Sequence, residues 1–250
     1  MLIVDRVDKS YKKGGLFSRE RQQVIKTVSF QYEQGECLGI VGESGCGKST
    51  LGRLLLGIEK PERGSILLKG NRVGGKRAGR REISAVFQDY TSSINPYFTV
   101  EQAIMESLNS LNRDASSRRE NHAKVDRLLQ NVGLDPHCRT KYPHELSGGQ
   151  IQRVCIARAV ATEAPCILLD EAISSLDSSV QMQVLELLKK LKEVNKLGYI
   201  FITHDIQAAA FICDRIMFMR DGQIEEFVSS NQLTNVQSPY AKKMLQMVIA

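Results

Sequence analysis

Gly42-Glu43-Ser44-Gly45-Cys46-Gly47-Lys48-Ser49-Thr50 is the stretch on which the reading of the whole chain turns. A glycine, a short run of free positions and then Gly-Lys-Ser is the spacing of a loop that wraps phosphate. A phosphate chain needs many donors at close range. Backbone N–H groups converge on it only where side chains leave room. Such a loop opens a helix, whose unpaired N–H groups and positive dipole end favour an anion. Lys48 would then reach the terminal phosphates, and the Ser49 hydroxyl would hold Mg²⁺.

The flanks support this placement. Cys37-Leu38-Gly39-Ile40-Val41 reads as a buried strand, and Leu51 with Leu54 to Leu56 gives the following segment a helical apolar face that Gly57 stops. Toward the N-terminus, Leu2 to Val4 and Val24 to Tyr32 predict strands around a charged, Gly-rich loop from Lys12 to Gln23. Tyr11 stands just before that loop and could stack on a purine. Ile66-Leu67-Leu68 predicts another strand. Ile83 to Phe87 predicts one ending at Gln88, a polar group able to reach a metal-bound water.

Helical spacing follows over Val100 to Leu111 and Ala123 to Val132, with Gly133 as cap and the polar Arg113 to Asn121 as loop or frayed turn. Leu146-Ser147-Gly148-Gly149-Gln150 then opens a helix bearing Arg153 and Arg158, a second N-terminal anion site by the same physics. Cys166 to Asp170 is an apolar strand ending in Asp170 and Glu171. Acids at a buried strand end need partners. Asp170 would hold Mg²⁺, and Glu171 would orient or deprotonate a hydrolytic water. Ser175-Leu176-Asp177 turns into a helix from about Ser178 to Lys196, and the strand Tyr199 to Thr203 ends at His204, placed to contact a γ-phosphate. Asp221-Gly222 between Arg215–Met219 and Gln223–Phe227 marks a hairpin, and Tyr240 to Val248 a last helix. Strands alternating with helices, with ligand motifs at strand C-termini, predict an α/β fold: a phosphate-loop core with a parallel sheet, an N-terminal antiparallel β subdomain and an inserted α-helical subdomain.

The chain has 250 residues, 42% hydrophobic and 25% charged, enough to bury a good core. Its net charge of +6 fits a solvated basic surface, anionic lipid headgroups nearby, or nucleic acid. The run Lys76 to Arg81 reads as a solvated helix or loop face, with nucleic-acid contact as the alternative. No stretch approaches the roughly 20 apolar residues that span a bilayer, and the first residues lack a signal-peptide core, so a cytosolic location is expected. Six scattered cysteines without a Cys-x-x-Cys pair argue against a zinc site or a disulfide framework. Cys46 lies inside the phosphate loop, where a helix N-terminus lowers a thiol pKa. Its alkylation is expected to block nucleotide binding, with bound ATP protecting it.

Taken in order, Gly42–Ser49, Gln88, Leu146–Gln150, Cys166–Asp170 with Glu171, Ser175–Asp177 and His204 resemble the ATP-binding-cassette ATPases over nearly the whole chain. The resemblance implies one cassette domain, residues 1–250. Residues 1–88 and 163–230 form the catalytic lobe, 89–162 the helical signature subdomain and 231–250 a C-terminal helix. It implies ATP and Mg²⁺ as cofactors. ATP would be bound by Tyr11, Gly42, Glu43, Ser44, Gly45, Cys46, Gly47, Lys48, Ser49 and Thr50. Ser147, Gly148, Gly149, Gln150 and Asp177 would contact it in trans, across a head-to-tail pair of cassettes. Ser49, Gln88 and Asp170 would serve Mg²⁺; Glu171, His204 and Gln88 would serve catalysis.

Finer marks resemble the peptide and nickel importer cassettes: Val86-Phe87-Gln88-Asp89 followed by Ser92-Ser93-Ile94-Asn95-Pro96, the insertion after Tyr11, and the tail Ser238-Pro239-Tyr240-Ala241. Glu171-Ala172-Ile173-Ser174-Ser175 is similar to the nickel type, most relatives having Pro-Thr where Ala172-Ile173 stand. The implied partners are a second cassette, two membrane permease subunits docked on the segment from Asp89 to about Tyr142, and an external solute-binding protein. This subgroup usually pairs two different cassettes, and the complete motif set also permits a homodimer. The implied location is the cytoplasmic face of a bacterial membrane. The cargo would be nickel, cobalt or a metal–chelator complex, with short peptides as the alternative. A cassette ATPase acting on DNA or ribosomes is the rival reading, and no nucleic acid partner is expected.

Overall fold

Two long strands, β1 (Leu2–Lys12) and β2 (Arg21–Tyr32), run antiparallel from Leu2 opposite Tyr32 to Lys12 opposite Arg21. They are longer than hydropathy predicts. Register shifts between Val4 and Ser10, with Arg6 and Thr27 at positive φ, let the pair bend and continue past its apolar core. The computed structural model describes residues 1–13, 20–74, 82–89, 93–109 and 118–249. Most of the insertion after Tyr11, the basic run Lys76 to Arg81, and Ser92 lie outside those residues.

The chain divides into two compact units, Met1–Glu82 with Gly198–Ala250, and Ile83–Leu197. In the first unit, β3 (Cys37–Val41) leads into α1 (Lys48–Leu55). β4 (Arg63–Leu68) and β5 (Asn71–Arg72) complete an antiparallel sheet of order β2-β1-β4-β5. All of β3 is buried, as a strand covered on both faces must be, which explains its unbroken apolar run. Leu51, Leu54 and Leu55 bury the inner face of α1.

The second unit holds β6 (Ile83–Val86), α2 (Val100–Asn109), α3 (Arg118–Asn131), α4 (Gly148–Ala161), β7 (Cys166–Asp170) and α5 (Ser178–Asn195). β6 and β7 pair in parallel, Val86 opposite Leu169. α3 begins at Arg118, so the predicted loop or frayed turn over Arg113 to Asn121 is corrected at its C-terminal end: residues 118–121 are helix. The charged residues there mask a helix whose buried face begins only at Val125 and Leu129.

The first unit resumes with β8 (Gly198–Thr203), α6 (Ile206–Ile212), β9 (Arg215–Arg220), β10 (Gln223–Ser229) and α7 (Pro239–Ile249). β3 lies between β8 and β9 and is parallel to both; β10 folds back antiparallel on β9. Asp221 and Gly222 both have positive φ, as a two-residue hairpin turn demands. This unit thus carries the antiparallel β layer and most of the parallel strands, while the second carries the helical segment with its own parallel pair. None of the described helices is long and apolar enough to cross a membrane.

Candidate functional site

The phosphate loop begins where β3 ends. Gly42 has no side chain because a Cβ there would run into the Met219 carbonyl oxygen. Gly47 adopts φ +106°, and a Cβ would lie 2.8 Å from the Val24 carbonyl oxygen. Gly47 at the N-cap brings no side-chain cap to the start of α1, whose positive dipole end favours an anion. Lys48 is buried, and its ammonium donates to the carbonyl oxygens of Gly42 (2.7 Å) and Glu43 (3.0 Å). The cation is therefore held over the loop. Ser49 and Thr50 follow in the first turn.

Cys46 corrects an expectation. Its side chain is 7% exposed. Burial raises the thiol pKa and outweighs the lowering by the Lys48 charge and by backbone donors. A protonated, enclosed thiol is a poor target for alkylation.

His204 directly follows Thr203, which pairs with Val41. The phosphate loop and His204 thus leave the same edge of two adjacent parallel strands. His204 is exposed, and the next residue, Asp205, caps α6 by accepting from Ala208 N at 3.0 Å.

Tyr11 sits near the end of β1, in a polar network. Its hydroxyl donates to Glu59 (2.7 Å), and the Lys9 ammonium lies 5.4 Å from the ring centroid. Glu59 also accepts from Arg53 (2.7 Å) and pairs with Lys9 (2.9 Å). Burial alone would raise the Glu59 pKa, but hydrogen bonds from Tyr11, Lys9 and Arg53 hold it down at about 2. Arg53 reaches on to the Thr50 hydroxyl at 3.2 Å, so the network runs from the aromatic residue to the phosphate loop. Sequence reading missed it, because nothing in the spacing links Lys9, Arg53 and Glu59.

In the second unit, Gln88 and Glu171 each stand two positions past the paired residues Val86 and Leu169, so both emerge at one strand edge. Gln88 is exposed; Asp170, between Leu169 and Glu171, is buried. Glu171 has φ +51°, a left-handed backbone that non-glycine residues seldom adopt and that clusters at active sites. The turn is closed by its own carbonyl, which accepts from Ser174 N (3.2 Å) and Ser174 Oγ (2.9 Å). Ala172 and Ile173 are buried, and the Ile173 carbonyl accepts from Gln181 at 3.0 Å. These contacts close the turn around the buried Ala172 and Ile173.

Ser147 and Gln150 form a capping box at α4: Ser147 Oγ accepts from Gln150 N (3.3 Å), and Gln150 Oε1 accepts from Ser147 N (3.0 Å). Gly148 and Gly149 lie between them. A Cβ on Gly149 would come 2.8 Å from Val180, so the small residue lets the starts of α4 and α5 approach. Asp177 caps α5; the Val180 N–H, then the Ser179 hydroxyl, keeps its carboxyl below the usual range. Arg158 pairs with the Glu106 carboxylate at 3.1 Å. Arg153 donates to the Val132 carbonyl (2.9 Å), and Arg158 donates to those of Ser93 (2.6 Å) and Ala103 (3.2 Å), fastening α4 to its neighbours.

A buried lysine over a glycine turn at an uncapped helix start is the arrangement of a phosphate-binding loop. Residues 25–174 match the ABC transporter family. The chain is 43% identical to the metal-staphylopine import system ATP-binding protein CntF of Staphylococcus aureus, over 98% of each. It is 41% identical to the oligopeptide transport ATP-binding protein AppF of Bacillus subtilis, over 94% of this chain and 74% of that one. It is 40% identical to the nickel import ATP-binding protein NikE of Shigella dysenteriae, over 90% and 86%. Among solved structures, the dimeric post-hydrolysis state of the cassette MJ0796 bound to ADP and Pi has a TM-score of 0.82 at 32% identity, covering 92% of this chain and 99% of that one. The chain belongs to the ABC transporter family. It is an ATP-binding, ATP-hydrolysing cassette.

Proposed function

We propose that this chain pairs head to tail with a second cassette and hydrolyses Mg-ATP to drive import of nickel, cobalt or a metal–chelator complex through a permease at the cytoplasmic face of a bacterial membrane. The observation that carries the ATPase reading is the uncapped start of α1 beneath a glycine turn, with the Lys48 ammonium already held at the loop. In this reading the loop amides and Lys48 grip the triphosphate, Tyr11 stacks on the base, and His204 contacts the γ-phosphate. Glu171 orients the attacking water. Ser147 to Gln150, with Asp177, close over the nucleotide of the partner cassette.

Hydroxyl, amide and carboxylate oxygens on Ser49, Gln88 and Asp170 are the hard donors that suit magnesium. Among the described residues no group of three or more His, Cys, Asp or Glu forms a metal cage, which fits an ion that arrives with phosphate. When bound, it neutralises charge on the transferred phosphoryl group. Tyr97, 85% exposed, and the exposed Phe87 give the segment after β6 an apolar surface for a permease helix to cover.

The cargo reading is supported by similarity to the metal-staphylopine and nickel import proteins. Similarity to the oligopeptide transport protein favours peptide import as the second reading. Deleting the gene and measuring uptake of radioactive nickel, with and without chelator, against a labelled peptide separates them: loss of metal uptake alone is expected, and loss of peptide uptake alone reverses the assignment. In the assembled transporter, Glu171→Gln should retain ATP binding while turnover falls by about 10²–10⁴. Near-normal steady-state hydrolysis would remove Glu171 from its role.

A further inference from the structure

The tail Ser238-Pro239-Tyr240-Ala241 marks a subgroup in the sequence, and the structure shows what it builds. Ser238 Oγ accepts from the backbone N–H groups of Tyr240 (3.2 Å) and Ala241 (3.4 Å), and Pro239 takes the first position of α7. The Glu226 carboxylate on β10 accepts from Gln237 N and Ser238 N, each at 2.8 Å, and fixes where the helix begins. Tyr240, 6% exposed, is thereby aimed at the phosphate loop. The Arg220 guanidinium lies 5.3 Å from its ring centroid, and the Glu43 N–H donates to its hydroxyl at 3.0 Å.

The Glu43 N–H and the Gly42 carbonyl belong to one planar peptide unit and point opposite ways. That unit is held at both ends, its N–H by Tyr240 and its carbonyl by the Lys48 ammonium at 2.7 Å. A second brace lies at Cys46, whose carbonyl accepts from Gly222 N at 3.0 Å. When Lys48 turns to a triphosphate, the Gly42 carbonyl loses its cation, while the hydrogen bond from Glu43 N–H to Tyr240 can stay in place.

We propose that Tyr240 is a positioning residue for the phosphate loop, its hydroxyl keeping the Gly42–Glu43 peptide from turning over as Lys48 exchanges loop carbonyls for phosphate. This rests on the reading of Lys48 given above. Burial raises the Tyr240 pKa, so the hydroxyl stays neutral and its oxygen serves as an acceptor across physiological pH.

Tyr240→Phe removes the acceptor and keeps the ring. With the full-length chain, titration of fluorescent ATP should show a Kd raised about three- to tenfold, the worth of one neutral hydrogen bond. Hydrogen exchange at the Glu43 amide should accelerate while β9 and β10 keep their protection, a pattern that general loosening would not give. Lys48→Ala, measured in parallel, separates the two ideas. If it weakens binding while Tyr240→Phe binds and exchanges like wild type, the anchor is overturned and the Lys48 reading stands. If Lys48→Ala has no effect, the reading of the loop fails and takes the anchor with it. Accelerated exchange throughout β9 and β10 in Tyr240→Phe would also overturn the anchor, by reducing it to a packing contact.

Discussion

At α1 the helix starts from Gly47, which has no side chain with which to cap it, whereas at α4 Ser147 and Gln150 satisfy each other's backbone, and α5 and α6 are capped by Asp177 and Asp205. The same helix physics serves opposite ends. The first start is shaped from outside, by Met219, Gly222 and Tyr240. The others are shaped by the nearest few residues. The glycine loop therefore depends on distant contacts, while the Ser147–Gln150 turn is locally self-sufficient.

The strongest way to break this contrast is at Gly42. Gly42→Ala puts a methyl group against the Met219 carbonyl oxygen, and the shift should cost about 3 kcal/mol or more in urea unfolding along with nucleotide binding. An alanine variant of wild-type stability would mean the loop is not braced from β9. At α4 the effect should be smaller. Ser147→Ala removes a cap and should cost about 1 kcal/mol in the same assay. Ser147→Asp should keep that stability while its negative charge lowers turnover of the assembled cassettes. Equal losses in both variants would deny that the cap and the ligand role are separable. The smallest effect belongs to Glu59. Its folded pKa of about 2 lies below the ordinary carboxyl value of 4.5, so its stabilising contribution is complete above about 4.5 and is lost as pH falls toward 2. The stability difference between wild type and Glu59→Gln should shrink across that window, and a flat difference would mean that the network with Lys9, Tyr11 and Arg53 is not holding the charge.

The elements legible in the sequence were those whose cause is local. Unbroken apolar runs announced β3, β7 and β8; Asp221-Gly222 announced the hairpin; Ser147 with Gln150 carried its own cap. What stayed hidden was long-range or electrostatic. β1 outran its hydropathy because pairing with β2, not burial, extends it. The start of α3 was masked by charge. Spacing placed Arg153 and Arg158 on α4 but cannot show which carbonyls an arginine will reach. Cys46 looked activated by its neighbours along the chain, yet burial by residues far away in sequence decides its pKa. Tyr240 read only as a subgroup mark, since its target lies 197 positions earlier.

That separation has a consequence for how the protein is made. The glycine loop leaves the ribosome before α7 does, so the Glu43 amide emerges before Tyr240 can receive it. If Tyr240 anchors the loop as proposed, a variant cut short before α7 would carry every nucleotide motif and still hold its nucleotide loosely.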